Sequence, residues 1–287
     1  MSSFQHPNYD VLVKVLPEGL SKEQILNFHP FSSWLTTLHN SLALQTKDHD
    51  NPFHTDPYHL RSITVQAYDM FGSRLGFLKL TAGISNGANE TLPGAVFLRG
   101  PSVAMLVMLI PDDARHDTDE RYVLLTVQPR IAAGSLAFVE LPAGMVDDAG
   151  TFAGAAAKEM QEELGLEIPA SELKCLSDLA NDTPDPEIGS SEEESEGRKT
   201  QDGNLPRGVY PSPGGCDEFI PIFMHERRVP RVQLSEWTGR LTGLREQGER
   251  ITLKLVRMRD LWREGARDAK CLAALALWEG LRKEGKV

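Results

Sequence analysis

Three glutamates lie within five residues of one another, at Glu159, Glu162 and Glu163. On a helix, which turns by about 100° per residue, Glu159 and Glu163 stand one turn apart and Glu162 lies beside them. Carboxylates at this spacing suit Mg²⁺ or Mn²⁺, which bind them together with water and phosphate oxygens. Clustered glutamates on a helix are more often a solvated surface, so both interpretations stay open at this point.

A turn and an apolar stripe would position these carboxylates. A predicted strand ends in Leu141-Pro-Ala-Gly144, a polar turn follows, and a helix is predicted from Thr151 to Leu164. The glutamates then project beside a buried seam, where like charges repel unless a cation lies between them. The stripe that would anchor this helix to a sheet consists of Ala153, Ala157, Met160 and Leu164.

The overall composition limits the classes of function. With 287 residues, of which 40% are hydrophobic, the chain is long enough to bury a core. Its net charge of -11 argues against a general nucleic-acid binder, because such proteins need basic surface to displace counterions from phosphates. An anionic substrate would therefore bind with the help of cations.

Neither the cysteines nor the N-terminus indicates a secreted or a membrane protein. Cys175, Cys216 and Cys271 are too few and too scattered for a disulfide framework or a CxxC zinc site. The first residues show neither the apolar run of a signal peptide nor the arginines of a transit peptide. The longest apolar stretch, Val103 to Pro111, is far shorter than the span of about 20 residues that a bilayer requires. A cytoplasmic location without membrane contact is expected.

The chain divides into three predicted regions. Residues 1–59 are expected to be a helical extension. Residues 60–99 carry strand-like runs separated by turn residues and form a predicted antiparallel β region. Residues 100–287 continue with strands, the glutamate-bearing helix and a final helix from Asp268 to about Lys283. The fold class is therefore α+β, with helices packed on a mixed sheet.

One segment differs from the rest in composition. Residues 181–207 hold eight acidic and three basic residues, together with Pro, Gly and Ser and almost nothing apolar. Such a composition cannot bury enough apolar surface to fold, so a disordered acidic insertion is predicted. A tolerated surface insertion is the simplest interpretation of this segment.

The whole segment around the glutamates resembles the Nudix box, Gly-x5-Glu-x7-Arg-Glu-U-x-Glu-Glu-x-Gly-U, in which U is a bulky aliphatic residue. Gly150 stands where the pattern has Glu, and Lys158 where it has Arg. Lys158 keeps the positive charge without the planar fork of arginine, and it can pair with Glu162 one turn on. Gly144 opens the match, and the later agreeing positions are Glu159, Met160, Glu162, Glu163, Gly165 and Leu166.

The resemblance implies a fold and a metal site. The fold would be the Nudix fold, a mixed β-sheet sandwiched by helices, and the cofactor Mg²⁺ or Mn²⁺. Glu159 and Glu163 are then the principal metal ligands and Glu162 a further or shared ligand, with the backbone carbonyl of Ala143 as another. Gly165 would close the helix in a left-handed conformation.

Segments outside the box resemble one branch of this family, the ADP-sugar and ADP-ribose pyrophosphatases of the plant chloroplast type. The resemblance implies Mg²⁺-dependent hydrolysis of ADP-glucose or ADP-ribose to AMP and a sugar phosphate. It also implies a homodimer formed by exchange of the N-terminal β region, residues 60–99, between subunits. The matching segments begin at Asp69-Met-Phe-Gly72 and Gly76-Phe-Leu-Lys79 and continue at Glu140-Leu-Pro-Ala-Gly144, Pro211 to Glu218 and Thr242 to Glu249.

The same resemblance assigns roles near the substrate. Arg130 and Glu140 would contact the substrate, although a strand-end arginine and a strand-end carboxylate without such a role explain them equally well. A glycine-rich turn with Pro213, Gly214 and Gly215 would also contact the substrate, and Glu218 after it would support the loop or the metal. Glu249 would activate water, with Glu246 as the fallback in the same loop and Glu162 as a further catalytic candidate.

Two alternatives to this activity remain. Gly150 and Lys158 are compatible with a non-catalytic module that binds a nucleotide sugar without cutting it. The second alternative is an enzyme of the same fold that cleaves another diphosphate, such as a UDP-sugar, a dinucleotide or a coenzyme A derivative. Mg²⁺-dependent release of AMP from ADP-ribose or ADP-glucose would exclude the non-catalytic module, and a substrate panel with product identification would distinguish the other substrates.

Overall fold

A computed structural model describes residues 1–115, 119–146, 151–181, 205–243 and 250–287. They group into two compact units. The N-terminal unit contains Met1–Pro101, residues 205–206 and Ser212–Glu218. The C-terminal unit contains the described residues of 102–181, Arg207–Pro211 and Phe219–Val287. Of the acidic insertion predicted over 181–207, residues 182–204 lie outside the described part, as do Gly150, Glu246 and Glu249.

The described residues of the N-terminal unit contain a six-stranded sheet. Its order is β1-β2-β3-β4-β5, with β6 also paired to β4; β2 and β3 run parallel, and the other pairs are antiparallel. The strands are β1 (Ser2–Gln5), β2 (Leu12–Val15), β3 (His59–Phe71), β4 (Arg74–Ser85), β5 (Thr91–Leu92) and β6 (Ala95–Leu98). The prediction of a purely helical extension over residues 1–59 is incomplete, since β1 and β2 are too short for their periodicity to show.

Two helices pack on this sheet, α1 (Lys22–Leu26) and α2 (His29–Lys47). Ser21 and Gln24 form the capping box of α1, a motif that their spacing indicates. Phe31 of α2 is fully buried against strand residues such as Ile63. Because this burial removes apolar surface from water, it fixes the helices on the sheet at about 1.5–3 kcal/mol per large side chain.

A distant segment of the chain joins the edge of this sheet. In the loop Ser212–Glu218, the carbonyl of Gly215 accepts a hydrogen bond from the backbone N–H of Phe97 at 2.8 Å. The carboxylate of Asp217 accepts hydrogen bonds from the backbone N–H groups of Arg99 at 2.8 Å and Gly100 at 3.1 Å. The loop is therefore part of the N-terminal unit.

The described residues of the C-terminal unit contain an eight-stranded sheet of order β11-β12-β7-β8-β14-β13. The pair β12 and β7 is parallel, whereas β10 and β9 add to β7 and β8 as antiparallel partners. The strands are β7 (Ser102–Pro111), β8 (Tyr122–Arg130), β9 (Ser135–Glu140), β10 (Ala143–Met145), β11 (Lys174–Cys175), β12 (Ile222–Val229), β13 (Leu241–Thr242) and β14 (Ile251–Arg257).

Helices cover both faces of this sheet. They are α3 (Phe152–Glu159), α4 (Leu176–Asn181), α5 (Arg231–Trp237), α6 (Leu261–Glu264) and α7 (Ala269–Lys283). Strand β7 is buried along its length, and its alternate side chains face opposite sides: Met105 lies in the core with α3 and α5, whereas Leu106 lies in the core with α4, α6 and α7. The predicted α+β class, a mixed sheet sandwiched by helices, is thus confirmed. None of the described helices is both long and apolar enough to cross a membrane.

Candidate functional site

The helix that carries the glutamates is not uniform. Thr151 caps its start by accepting a hydrogen bond from the N–H of Gly154 at 3.0 Å. The α-helical part, α3, ends at Glu159, and Met160–Leu164 form a wider π turn. The predicted helix from Thr151 to Leu164 is therefore present, but its last five residues are π-helical rather than α-helical. Wider turns of this kind occur often at functional sites.

The apolar side of this helix holds it on the sheet. The fully buried residues are Ala156, Met160 and Leu164, while Ala153 packs at the margin of the same core. Ala156 was absent from the predicted stripe and takes the central place in it. Gly165 ends the helix with a left-handed φ of +67°, and its N–H donates to the carbonyl of Gln161 at 3.0 Å. The predicted role of Gly165 in helix closure is confirmed.

Glu159 lies directly over the backbone of Gly144 in β10. A Cβ atom built on Gly144 would overlap the carboxylate carbon and both carboxylate oxygens of Glu159. The space that a side chain would fill at position 144 is therefore occupied by the carboxylate itself. This contact gives a physical reason for glycine at the first position of the box.

Glu163 is almost completely buried, with 5% of its surface exposed. Its Oε2 accepts a hydrogen bond from the backbone N–H of Ala143 at 3.1 Å, and its Oε1 accepts one from Nε2 of Gln128 at 3.4 Å. Burial and then the negative charge of Glu159 raise the pKa of Glu163 to about 8, although the charge of Arg130 opposes this shift. Strand β10 therefore positions both glutamates.

The donor set of this region fits a hard divalent cation. Glu159 and Glu163 approach one another around the strand that carries Ala143, and their mutual repulsion is what a cation would relieve. Among the described residues, no three His, Cys, Asp or Glu side chains converge as a complete metal site. Mg²⁺ and Mn²⁺ suit such a partial set, because they retain water and bind phosphate oxygens.

Glu162 lies on a more exposed side of the helix than Glu163. Its carboxylate stands 3.9 Å from Nζ of Lys158, one turn earlier, and 27% of its side chain is exposed. The predicted pairing of Lys158 with Glu162 is confirmed. A surface pair at this distance contributes about 0.3–0.5 kcal/mol at most.

Arg130 and Glu140 form an ion pair beside the two glutamates. Nε of Arg130 donates to Oε1 of Glu140 at 2.6 Å, and Glu140 itself is 3% exposed. The other oxygen of Glu140 accepts from Nζ of Lys270 at 2.9 Å. Both carboxylate oxygens of Glu140 are therefore paired with basic side chains, and the buried Glu140 holds Arg130 in place. The substrate contact that the resemblance implies for Glu140 stays a prediction.

The sequence reasoning missed three residues of this region, namely Gln128, Asp268 and Lys270. Lys270 also contacts Asp268 at 2.9 Å. Burial lowers the pKa of Lys270, but the charges of Asp268 and Glu140 outweigh it and the pKa is raised. The only sequence signal was the position of Asp268 as a helix N-cap, which points to capping rather than to a buried network.

The predicted glycine-rich loop lies in the N-terminal unit. The carbonyl of Gly215 in this loop accepts a hydrogen bond from the backbone N–H of Phe97. Glu218, at the end of the loop, forms an ion pair with Arg99 at 2.9 Å. This ion pair agrees with a loop-supporting role for Glu218. The substrate contacts predicted for Pro213, Gly214 and Gly215 stay predictions.

A surface cavity of about 320 Å³ lies elsewhere in the C-terminal unit. It is lined at the start of β8 by Asp119, Glu120 and Arg121, with Arg257 and Arg259 beside them. These charges largely pair with neighbours; Glu120, for example, accepts from Arg231 at 2.8 Å. Glu163 contacts Gln128 near the other end of β8, so this cavity is distinct from the candidate metal site.

This chain is similar to one protein family and to individual known proteins. The model of the NUDIX domain family matches residues 102–274. Nudix hydrolase 14, chloroplastic, from Arabidopsis thaliana is 34% identical over 286 residues, which cover 98% of this chain and 80% of the relative. A solved structure described as "Crystal structure of ADP compounds hydrolase" covers 80% of this chain and 99% of its own, with a TM-score of 0.44 and 16% identity.

The family match contains all the strands and helices that surround Glu159 and Glu163, and the relative extends over nearly the whole chain. The chain belongs to the Nudix family. It is accordingly an enzyme of the Nudix hydrolase class.

Proposed function

We propose that this Nudix hydrolase cleaves the diphosphate of a nucleoside-diphosphate sugar, ADP-glucose or ADP-ribose, to AMP and a sugar phosphate. The observation that carries the proposal is the placement of Glu159 over Gly144 and of Glu163 against Ala143. This placement brings the carboxylates of Glu159 and Glu163 together at the backbone of β10. The choice of an ADP-sugar rests on the segments that resemble ADP-sugar pyrophosphatases outside the box.

The proposed cofactor is Mg²⁺, with Mn²⁺ as a substitute. Glu159 and Glu163 would hold it together with the carbonyl of Ala143, and Glu162 would serve as a further or shared ligand. A bound divalent cation neutralises the charge of the diphosphate and orients the attacking water. The chain's own contribution is to fix the two carboxylates, through Gly144 for Glu159 and through Ala143 and Gln128 for Glu163.

Arg130 is proposed to bind a substrate phosphate. Its Nε is fixed by Glu140 at 2.6 Å, and 42% of its side chain is exposed. The charge of Arg130 also acts on Glu163, so the guanidinium stands close to the proposed metal ligands. An arginine anchored through one nitrogen presents a positive charge with a fixed orientation, which suits a phosphate.

Glu249 is proposed as the base that takes the proton from water, with Glu246 as the fallback. Both lie outside the described residues, but the strands on either side of them are described. Strand β13 ends at Thr242 and packs beside the π turn Met160–Leu164, and β14 begins at Ile251. The described strand that precedes Glu246 and Glu249 in the chain therefore lies next to the glutamate helix, and this position of β13 supports the assignment.

A homodimer and a cytoplasmic location are also proposed. The dimer follows from the resemblance to the ADP-sugar pyrophosphatases, and the exposed apolar side chains of Met70 and Phe71 at the β3–β4 turn are compatible with it. The molar mass in solution, from light scattering after gel filtration, tests this part. The name of the Arabidopsis relative places that protein in the chloroplast, so the location of this chain needs its own test by imaging of a fluorescent fusion.

A substrate panel tests the proposed activity. The chain is incubated with Mg²⁺ and ADP-glucose, ADP-ribose, UDP-glucose or a dinucleotide, and the products are identified by mass spectrometry. AMP and a sugar phosphate from an ADP-sugar, with the other substrates cleaved more slowly, are expected. Faster cleavage of UDP-glucose or a dinucleotide would overturn the substrate assignment, and binding of ADP-glucose without any cleavage would indicate the non-catalytic module.

Two variants test the role of the box in the same assay. Glu163→Gln removes the charge of a proposed ligand and is expected to reduce turnover by more than the 10- to 100-fold that loss of a supporting residue typically costs. Glu167→Gln is the matched control. Glu167 follows the same helix but is exposed, and its side chain accepts a hydrogen bond from Gln161. Near-normal turnover by a folded Glu163→Gln variant would contradict the proposed metal site.

A further inference from the structure

Two charged residues at the start of α7, the buried Asp268 and the largely buried Lys270, have no part in the proposed chemistry. Asp268 has 4% and Lys270 has 13% of its side chain exposed. Burial of a charge costs several kcal/mol unless the charge is paired and hydrogen-bonded. A helix cap alone does not require this arrangement, because an exposed Asp or Ser caps equally well.

These residues form a continuous chain of ion pairs that ends at Arg130. Lys270 Nζ lies 2.9 Å from Oδ1 of Asp268 and 2.9 Å from Oε2 of Glu140. Oε1 of Glu140 in turn accepts from Nε of Arg130 at 2.6 Å. The charges alternate in sign along Arg130, Glu140, Lys270 and Asp268, so the four residues together carry no net charge.

The same ion-paired residues also hold the backbone just before β10, the strand beside the proposed metal ligands. Oδ2 of Asp268 accepts a hydrogen bond from the backbone N–H of Leu141 at 2.9 Å. The next residue, Pro142, accepts from the N–H of Met105 in β7 at 3.0 Å. The turn from β9 into β10 is therefore tied to α7 on one side and to the central strand on the other.

This turn leads directly into the two positions that fix the glutamates. Ala143 donates to Glu163, and Gly144 lies under the carboxylate of Glu159. A shift of the backbone at Leu141 would therefore move both proposed ligands together. Helix α3 packs in one core and α7 in the other, so α7 reaches the ligands from the opposite face of the sheet.

We infer that Asp268 and Lys270 are positioning residues, which set the metal-binding backbone of β10 and the orientation of Arg130 through Glu140 from the far side of the sheet. The inference rests on the proposed metal site and adds to it the support that keeps its ligands in place. Supporting residues around metal ligands commonly change metal affinity or activity by about 10- to 100-fold when replaced. A merely structural ion pair would change the stability of the fold without changing metal affinity.

The test measures Mn²⁺ binding to the full chain by electron paramagnetic resonance in the absence of substrate. Lys270→Met removes the central cation while keeping a long side chain, and the Mn²⁺ dissociation constant is expected to rise by about 10-fold or more. Lys270→Arg keeps the charge and is expected to restore most of the affinity. Lys254→Met is the matched control, because Lys254 pairs with Glu264 at 2.6 Å on the surface of the same unit; its Mn²⁺ affinity is expected to stay at the wild-type value.

Asp268→Asn serves as a milder second variant if Lys270→Met does not fold, as judged by near-ultraviolet circular dichroism. The carboxylate of Asp268 accepts from the backbone N–H of Leu141 through one oxygen and from Nζ of Lys270 through the other. The amide of asparagine has a single acceptor oxygen, so one of these two hydrogen bonds is lost. Steady-state kinetics on the folded variants should show a lower kcat that excess Mg²⁺ only partly restores.

The outcomes separate this inference from the proposed function. Wild-type protein that binds no Mn²⁺ would refute the proposed metal site and, with it, this inference. Wild-type binding together with unchanged Mn²⁺ affinity and unchanged kcat in folded Lys270→Met or Asp268→Asn would overturn the positioning role alone. Weaker binding in these variants, with Lys254→Met unaffected, is the expected result.

Discussion

Replacing Gly144 with alanine adds one methyl group at the point where β10 passes under Glu159. The added Cβ would overlap the carboxylate of Glu159. Nonbonded carbon atoms need about 3.5–4.0 Å between centres, so the carboxylate would have to move by more than about 1 Å. Displacement of a catalytic group by about 1 Å typically costs about 100-fold in rate, which corresponds to about 2.7 kcal/mol of transition-state stabilisation.

The stability of the fold should respond very differently to this change. Gly144 is not among the glycines with a positive φ, so alanine fits its backbone and restricts the unfolded chain, an effect of about 0.4–1 kcal/mol in favour of the fold. We therefore expect the free energy of unfolding in urea to stay within about 1 kcal/mol of the wild-type value. The loss should appear in kcat/KM for the ADP-sugar and in Mn²⁺ affinity.

Gly280→Ala is the matched control for this experiment. It adds the same methyl group within α7, where a Cβ would meet nothing within 4 Å. Its kcat/KM should equal that of the wild type. Wild-type kcat/KM and Mn²⁺ affinity in Gly144→Ala would refute the reasoning that the carboxylate of Glu159 must occupy this space.

Three further predictions concern the same region. In the metal-free protein, the free energy of unfolding should fall as pH rises from 4.5 towards about 8, because the raised pKa of Glu163 makes the native state bind a proton more tightly than the unfolded chain; urea titrations across this range measure the slope, which Glu163→Gln should reduce. Gly165→Ala should destabilise the fold by about 1 kcal/mol, since its φ is +67°, as checked by urea unfolding. Arg130→Ala should raise KM for the ADP-sugar by about 10-fold through loss of a phosphate contact, an effect of about 1.4 kcal/mol, as measured by steady-state kinetics.

A specific result would contradict each of these predictions. A stability of the metal-free protein that does not fall over this pH range would show that Glu163 keeps an ordinary pKa. Unchanged stability of Gly165→Ala would mean that the helix end rearranges without cost. Unchanged KM in Arg130→Ala would assign Arg130 to the structural role of a partner for Glu140.

The box helix and its central glutamates were predictable because their signals are local. The spacing of Glu159, Glu163 and Gly165 and the apolar stripe around Met160 all depend on residues within one or two helical turns. The π turn was not predictable from the same pattern, because apolar periodicity does not distinguish a regular helix from one with a single wide turn. Glu163, which lies in this turn, makes hydrogen bonds to Gln128 and Ala143 that no local pattern indicates.

The supporting network could not be predicted, since its partners are far apart in the chain. Asp268 and Lys270 meet Leu141 and Glu140 across separations of 127 and 130 residues. The same reason explains the loop Ser212–Glu218. Its glycines suggest a turn but do not reveal that its backbone hydrogen-bonds to β6, which is more than 100 residues earlier in the chain and belongs to the same N-terminal unit. Local sequence patterns carry no information about such pairings.

A crystal grown with Mn²⁺ and a non-hydrolysable analogue of ADP-ribose would test the central claim most directly. An anomalous difference map identifies Mn²⁺ by its own anomalous scattering. We expect a peak in coordination contact with the carboxylates of Glu159 and Glu163 and the carbonyl of Ala143, with the diphosphate of the analogue bound to the same ion. A bound diphosphate whose Mn²⁺ peak lies away from these three residues would contradict the claim.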